Sequence, residues 1–243
     1  MFIKLLFCGC IHGNEYIGKY IFDHYPLGKN EYFIWKSIIA NPEAMYLNQR
    51  FIDTDLNRSF PGRLDGNYEE RRAYQLSKVL SQFDLIIDWH QTDNDMDDTI
   101  LVYDLTPELS EICQFFNIKH IVTLDKGDSY YDGTLLGHVK NSIAVEYGRL
   151  YDFQDACQRV EKDIQNLLAK RVVNIDHNYY RILGSVGKEF ESKLNLKNYQ
   201  KLTEEEREIL GIYEDNVYPI FIGTEVYQGV YCILLQKKQM SVV

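Results

Sequence analysis

The amino-acid sequence predicts an α/β fold: a mixed, mostly parallel sheet flanked by helices, followed by a small β-rich C-terminal domain. Three observations carry this expectation. Short apolar runs of strand length alternate with helical periodicity over residues 1–170. Runs such as DLIIDW are apolar enough to be covered on both faces, as a parallel sheet between helices requires. Beyond Arg171 the helical periodicity gives way to β-prone segments separated by polar turns. A chain of 243 residues can bury one substantial core with a small appendage, so the expected division is 1–170 and 171–243.

The elements follow in order. Met1 to Phe7 reads as a strand, with Ile3, Leu5, Leu6 and Phe7 around a lone Lys4. Gly9 and Gly13 permit a tight turn, and Tyr16 to Tyr25 has helical spacing at Ile17, Tyr20, Ile21 and Tyr25. Tyr32 to Ala40 is β-prone and stops at Asn41-Pro42, whereas Asn48 to Gly62 has little apolar periodicity. Tyr68 to Phe83 is a helix with Ala73, Leu76, Val79 and Leu80 on one side, and Asp84 to Trp89 is a buried strand that delivers His90. Strands at Thr99 to Tyr103 and Lys119 to Leu124 bracket a helix at Glu108 to Phe116. Asp125 to Gly137, rich in Gly and Asp, reads as a surface loop. Ser142 to Tyr147 is a strand carrying Glu146, and Phe153 to Lys170 is an amphipathic helix with Ala156, Val160, Ile164, Leu167 and Leu168 on its stripe. Tyr179 to Val186, Val217 to Ile222 and Gly229 to Leu235 read as the C-terminal strands, with a capped helix or turn at Thr203-Glu-Glu-Glu.

Composition removes several function classes. A net charge of -10 argues against nonspecific nucleic-acid binding. The five cysteines are scattered without a Cys-x-x-Cys pair, as expected of reduced thiols in a cytoplasmic protein. No apolar run approaches the length of a membrane span, and the apolar start is too short and too weakly charged for a lipoprotein signal. A homo-oligomer is left open.

Chemistry concentrates at the expected carboxyl ends of strands, where open α/β sheets bind ligands. His12 and Glu15 flank Gly13 in a strand-to-helix turn tight enough for both to reach one metal ion, although Glu15 could equally cap the helix. His90 ends a buried strand as a third candidate ligand, with Asp88 two residues earlier on the same face as a partner for an imidazole. Arg50, Asn57 and Arg58 offer two planar cationic forks and an amide for a carboxylate; the alternative is a solvated loop in which Asp53 and Asp55 pair with the arginines. Glu146 is the single carboxylate of an apolar strand, suited to proton transfer by desolvation, or else a salt-bridge partner of Arg149.

The succession GCIHGNE, NPEA, RFIDTDLNRSFPG, DWHQT and VEYG, over residues 8–148, resembles the aspartoacylase and succinylglutamate desuccinylase family. The resemblance implies a zinc carboxypeptidase-like fold with Zn2+ bound by His12, Glu15 and His90. It further implies substrate-carboxylate and oxyanion binding by Arg50, Asn57 and Arg58, and Glu146 as general base and acid. The run YPIFIGTEVYQGVYCIL is similar to the closing domain of that family, with Tyr227 matching a tyrosine that reaches the substrate. One departure is Arg149, where members acting on acetylaspartate continue Glu-x-Gly with Pro. The chain is also short for the family, so the acyl group and amino acid are not carried over. The expectation is therefore a zinc-dependent amidohydrolase for a small-molecule N-acyl amino acid. A peptide-cleaving zinc carboxypeptidase and a non-catalytic binder of an acidic metabolite are the alternatives.

Overall fold

The computed structural model describes residues 2–124, 132–148, 152–223 and 229–238. Strand β1 (Ile3–Gly9) leads through a turn into α1 (Tyr16–His24), followed by the short β2 (Leu27–Lys29), β3 (Phe33–Ile39) and α2 (Pro42–Tyr46). A 3-10 turn at Leu56–Arg58 precedes α3 (Tyr68–Leu80), which starts in a capping box between Asn67 and Glu70. Then come β4 (Leu85–Gln91), β5 (Thr99–Val102), α4 (Pro107–Cys113), β6 (His120–Thr123), α5 (Leu135–His138), β7 (Ser142–Tyr147) and α6 (Phe153–Leu168). The chain continues as β8 (Asn178–Gly187), a 3-10 turn at Lys188–Phe190, α7 (Glu204–Leu210), β9 (Val217–Ile220) and β10 (Val230–Lys238).

The strands form one sheet in the order β2-β3-β1-β4-β7-β5-β6-β8-β10-β9. The pairs β3/β1, β1/β4, β4/β7, β5/β6 and β6/β8 are parallel, whereas β2/β3, β7/β5, β8/β10 and β10/β9 are antiparallel. The expected mixed α/β sheet is thus present, and the C-terminal strands join it through β8 alongside β6.

Alternation along the central strands sorts residues onto two faces. Leu5, Phe7, Ile87, Trp89, Ile143, Val145 and Tyr147 pack against Ile17 and Ile21 of α1 and the stripe Ala156, Val160, Ile164 and Leu167 of α6. On the other face Leu6, Cys8 and Ile86 meet Ala73, Leu76 and Leu80 of α3. Farther along that face, Leu101, Val122 and Ala144 meet Tyr180, Ile220 and Ile233 from the C-terminal strands. Because Trp89 and Val145 point into the first core, their neighbours His90 and Glu146 point to the opposite face.

Departures from the expected elements have local causes. Of the expected loop at 125–137, residues 125–131 lie outside the described residues, and the remainder is not all loop: Thr134 caps α5 by accepting from Gly137 N, and Leu135 and Leu136 are buried. The strand expected to reach Ile222 stops at Ile220, because Phe221 turns into the left-handed region at φ 54°. The Asn41-Pro42 stop begins α2, with Pro42 in the first helical turn where its missing N–H costs nothing.

Candidate metal centre and cavity

His12 and Glu15 sit in the turn between β1 and α1. Gly13 has no room for a side chain, since a Cβ there would lie 2.2 Å from the backbone of Ala44 and Met45. Gly13 N also donates to Arg50 O at 3.1 Å, which draws the segment bearing Arg50 against the turn. Glu15 occupies the position preceding α1 yet makes no side-chain cap. Its carboxylate turns inward instead: Oε1 lies 2.5 Å from His12 Nδ1 and Oε2 lies 2.9 Å from His90 Nδ1. The capping alternative for Glu15 therefore gives way to convergence with two imidazoles.

The remaining ring nitrogens are held from behind. His90 Nε2 lies 2.9 Å from Asp88 Oδ2, and His12 Nε2 lies 3.2 Å from Asp55 Oδ1. All three candidate ligands are buried, and one ligand atom from each falls within 4.8 Å of the others. Two imidazoles and a carboxylate, each imidazole backed by its own carboxylate, form a donor set suited to zinc. The residues present fit a divalent metal.

Electrostatics agree with the geometry. Burial works against ionisation of Glu15, but His12 and His90 overcome it and hold its carboxyl well below the usual range. Burial likewise opposes charge on the imidazoles, yet Glu15 and Asp55 raise His12, and Asp88, Glu15 and Glu146 raise His90 further. A cluster with this appetite for positive charge is one a cation can fill.

Glu146 lies directly beside His90 across the β4/β7 ladder. Burial pushes its carboxyl above the ordinary value, with Glu15 and Asp88 adding to the rise against the pull of His90 and His12. Glu146 lines a cavity of about 250 Å³ together with His12, Glu15 and Arg50. Asn14, Tyr16, Gln91, Thr92, Asp93, Phe153 and Phe221 complete its wall among the described residues.

Arg50 reaches this centre. Its Nη2 lies 2.7 Å from His12 Nε2 and 3.1 Å from Asp55 Oδ2, and its Nη1 lies 3.7 Å from Glu15 Oε1. A guanidinium only donates, so the contact with His12 requires an unprotonated Nε2 and a proton on Nδ1 facing Glu15. Ligation through Nδ1 would put the proton on Nε2, where Asp55 can accept it and Arg50 cannot.

The other sequence candidates are placed differently. Asn57 Oδ1 accepts from Leu135 N at 2.9 Å, which ties the 3-10 turn to α5. Arg58 is exposed and donates to Asn57 O at 2.6 Å. Neither lines the cavity formed by the described residues. Tyr227 and Arg149 lie outside the described residues.

Two supporting carboxylates escaped the sequence reading in these roles. Asp55 was legible only as an arginine partner, whereas here it also serves His12 and caps the turn by accepting from Asn57 N at 2.8 Å. Glu69 is fully buried and gathers Ile52 N, Asp53 N, Thr54 N and Asn41 Nδ2 at 2.7–3.1 Å, holding the loop between Arg50 and Asp55. A signal for it exists: residue 69 falls on the same helical stripe as Ala73, Leu76 and Leu80.

Residues 2–171 match the family described as Succinylglutamate desuccinylase/Aspartoacylase catalytic domain. A probable aspartoacylase of Trichodesmium erythraeum is 35% identical over 130 residues, covering 48% of this chain and 42% of that protein. The chain thus spans less than half the length of that relative. A probable aspartoacylase of a Nostoc species is 26% identical, covering 98% of this chain and 97% of its own length. Among solved structures, murine aminoacylase 3 superposes with a TM-score of 0.74 at 20% identity, covering 97% of this chain and 95% of that one. The succinylglutamate desuccinylase of Chromobacterium violaceum also gives 0.74, at 16% identity and with 98% and 86% covered. These structural likenesses bear on the fold.

Proposed function

Since this chain belongs to the succinylglutamate desuccinylase and aspartoacylase family, a family of deacylating hydrolases, we propose that it is a zinc-dependent amidohydrolase. Its substrate would be a small N-acyl amino acid, cleaved to a carboxylate and a free amino acid. The observation that carries the reading is the convergence of His12 Nδ1, Glu15 and His90 Nδ1 beside the cavity-lining Glu146. No helix among the described residues is long and apolar enough to cross a membrane.

His12, Glu15 and His90 would hold the metal, which when bound supplies a Lewis acid for the acyl carbonyl and eases ionisation of the attacking water. Glu146, with its carboxyl raised by burial, is the group placed to take the proton of the attacking water and return it to the departing nitrogen. Arg50 is the cation of the cavity wall among the described residues, and its fork suits the substrate carboxylate or the developing oxyanion. Loss of one such donor costs roughly 3 to 4 kcal/mol in well-studied enzymes. Arg58, Asn57 and Tyr227 are assigned supporting substrate contacts on the strength of the family pattern alone.

The test is a panel of N-acetyl and N-succinyl amino acids, aromatic, aliphatic and acidic, offered to zinc-loaded and chelator-treated protein, with metal content measured on the same samples. Release of free amino acid by the loaded form is expected. Metal retained at full stoichiometry in both His12→Ala and His90→Ala would remove the ligand assignment, and no turnover across the panel would remove the amidohydrolase.

A further inference from the structure

The wall of the cavity is built by segments far apart in sequence. Thr92 and Asp93 line it from the loop after β4, and Phe221 lines it from just beyond β9. Between them lies a closed ring of hydrogen bonds. Asn198 Nδ2 donates to the side-chain oxygen of Asn94 and, at 2.9 Å, to Asp95 O. Asn198 Oδ1 accepts from Ile222 N at 3.3 Å, and Asn94 Nδ2 donates to Ile222 O at 2.5 Å. Two side-chain amides and the backbone of one residue thus satisfy one another around the joint. A side-chain amide offers a donor and an acceptor on one short, uncharged planar group.

The neighbours of the ring show what it holds. Phe221, adjacent to Ile222, has φ 54°, a conformation unfavourable for a bulky residue and kept only where surrounding contacts impose it. Tyr199 seats Asn198: its ring stacks on His120 with centroids 3.8 Å apart, its hydroxyl lies 2.5 Å from Thr99 Oγ1, and its N donates to Pro219 O at 2.9 Å. The end of β4 is anchored independently, because Thr92 N donates to Tyr147 O at 3.0 Å. His90 and Glu146 therefore do not depend on the ring for their place.

We propose that Asn94 and Asn198 are positioning residues for substrate selection, fixing Phe221 and the chain at Asp93 in the cavity wall, with Phe221 the surface against which an apolar substituent of the N-acyl amino acid packs. The assignment rests on the amidohydrolase reading. It makes binding of the apolar group depend on the ring, and the chemical step depend on groups the ring does not hold.

Asn198→Ala removes the bonds to Asn94, Asp95 O and Ile222 N and leaves only Asn94 Nδ2 on Ile222 O, so the ring is open. Asn198→Asp keeps an acceptor for Ile222 N but sets a carboxylate against Asn94 Oδ1 and Asp95 O. Asn94→Ala opens the ring from the other side and carries the test if position 198 proves intolerant. Two readouts are needed. Backbone amide exchange in peptides covering 92–98 and 217–223, without substrate, should rise by about tenfold in both segments in each variant. With zinc-loaded protein, KM for N-acetylphenylalanine should rise about fivefold, the scale of one lost hydrogen bond, while kcat and the KM for N-acetylalanine change less than about twofold. Exchange that rises in only one segment, or in neither, overturns the coupling. Raised exchange with both KM values unchanged, or a fall in kcat at constant KM, leaves the ring merely structural and overturns the proposal. If the wild type cleaves nothing in the panel, the amidohydrolase reading and the selection role built on it fall together. Cleavage by the wild type with unmoved KM values sinks the selection role alone.

Discussion

One carboxylate, Asp55, does two things that substitution can separate. Its Oδ1 accepts from Asn57 N at 2.8 Å and faces His12 Nε2 at 3.2 Å, whereas Oδ2 receives Arg50 Nη2 at 3.1 Å. In Asp55→Asn the amide oxygen should keep the first position, because the reverse orientation would aim an NH2 at two donors. The NH2 then faces Arg50 donor to donor, and the guanidinium loses this partner. Exchanging a charged acceptor for a neutral one at His12 weakens that bond by roughly 1 kcal/mol, about fivefold in metal affinity. Asp55→Ala removes both contacts and the turn cap, so metal affinity should fall about 10- to 100-fold, the usual effect of deleting a partner behind a ligating histidine. The assay is competition for zinc against a chromophoric chelator at fixed pH, with KM followed in parallel. The Asn variant should therefore keep most of its metal yet bind substrate less tightly. If Asp55→Ala holds zinc within about threefold of wild type, Asp55 does not orient His12 and the ligand geometry argued here is wrong.

Further outcomes can be checked with single variants. Glu146→Gln should leave zinc content and fold intact while kcat falls by about 10²-fold or more; near-normal turnover on a confirmed substrate would move the base elsewhere, with Asp88 the first place to look. Arg50→Lys keeps the charge and loses the fork, so kcat/KM should drop by about 10-fold or more with zinc retained, and unchanged kinetics would reduce Arg50 to a loop salt bridge. Asp163 accepts from Tyr147 OH at 2.8 Å and Asn117 N at 2.8 Å, and burial raises its pKa from 3.8 to about 6. The folded chain therefore holds this proton more tightly than the unfolded one. That contribution is fully present below about pH 4 and is lost as pH rises to about 6, leaving a penalty of roughly 3 kcal/mol. Asp163→Asn should escape the penalty: its urea stability relative to wild type should increase between pH 4 and pH 8, and a flat difference would show that Asp163 titrates normally.

Much of this protein was legible in the residues before any coordinates. The apolar runs and their spacing foretold the strands β1, β3, β4 and β7 and the helices α1, α3 and α6, because burial on one or two faces leaves a period that sequence alone displays. The same period assigned Asp88 and His90 to one face, and the Asp88–His90 contact follows from it. The order of short motifs was enough to indicate the family.

Tertiary structure decided the rest. Whether Glu15 caps a helix or faces two imidazoles depends on where β4 lies beside β1, a pairing of residues far apart in sequence. That Arg50 reaches the centre while Arg58 stays exposed depends on Glu69 drawing in the intervening loop from a helix that periodicity treats as merely amphipathic. The ring of Asn94, Asn198 and Ile222 has no local signature at all, since each amide is an ordinary loop residue until the chain closes around it. Local periodicity records which side of an element is buried; which buried groups meet is set by long-range packing, and a single chain read in order does not carry that information.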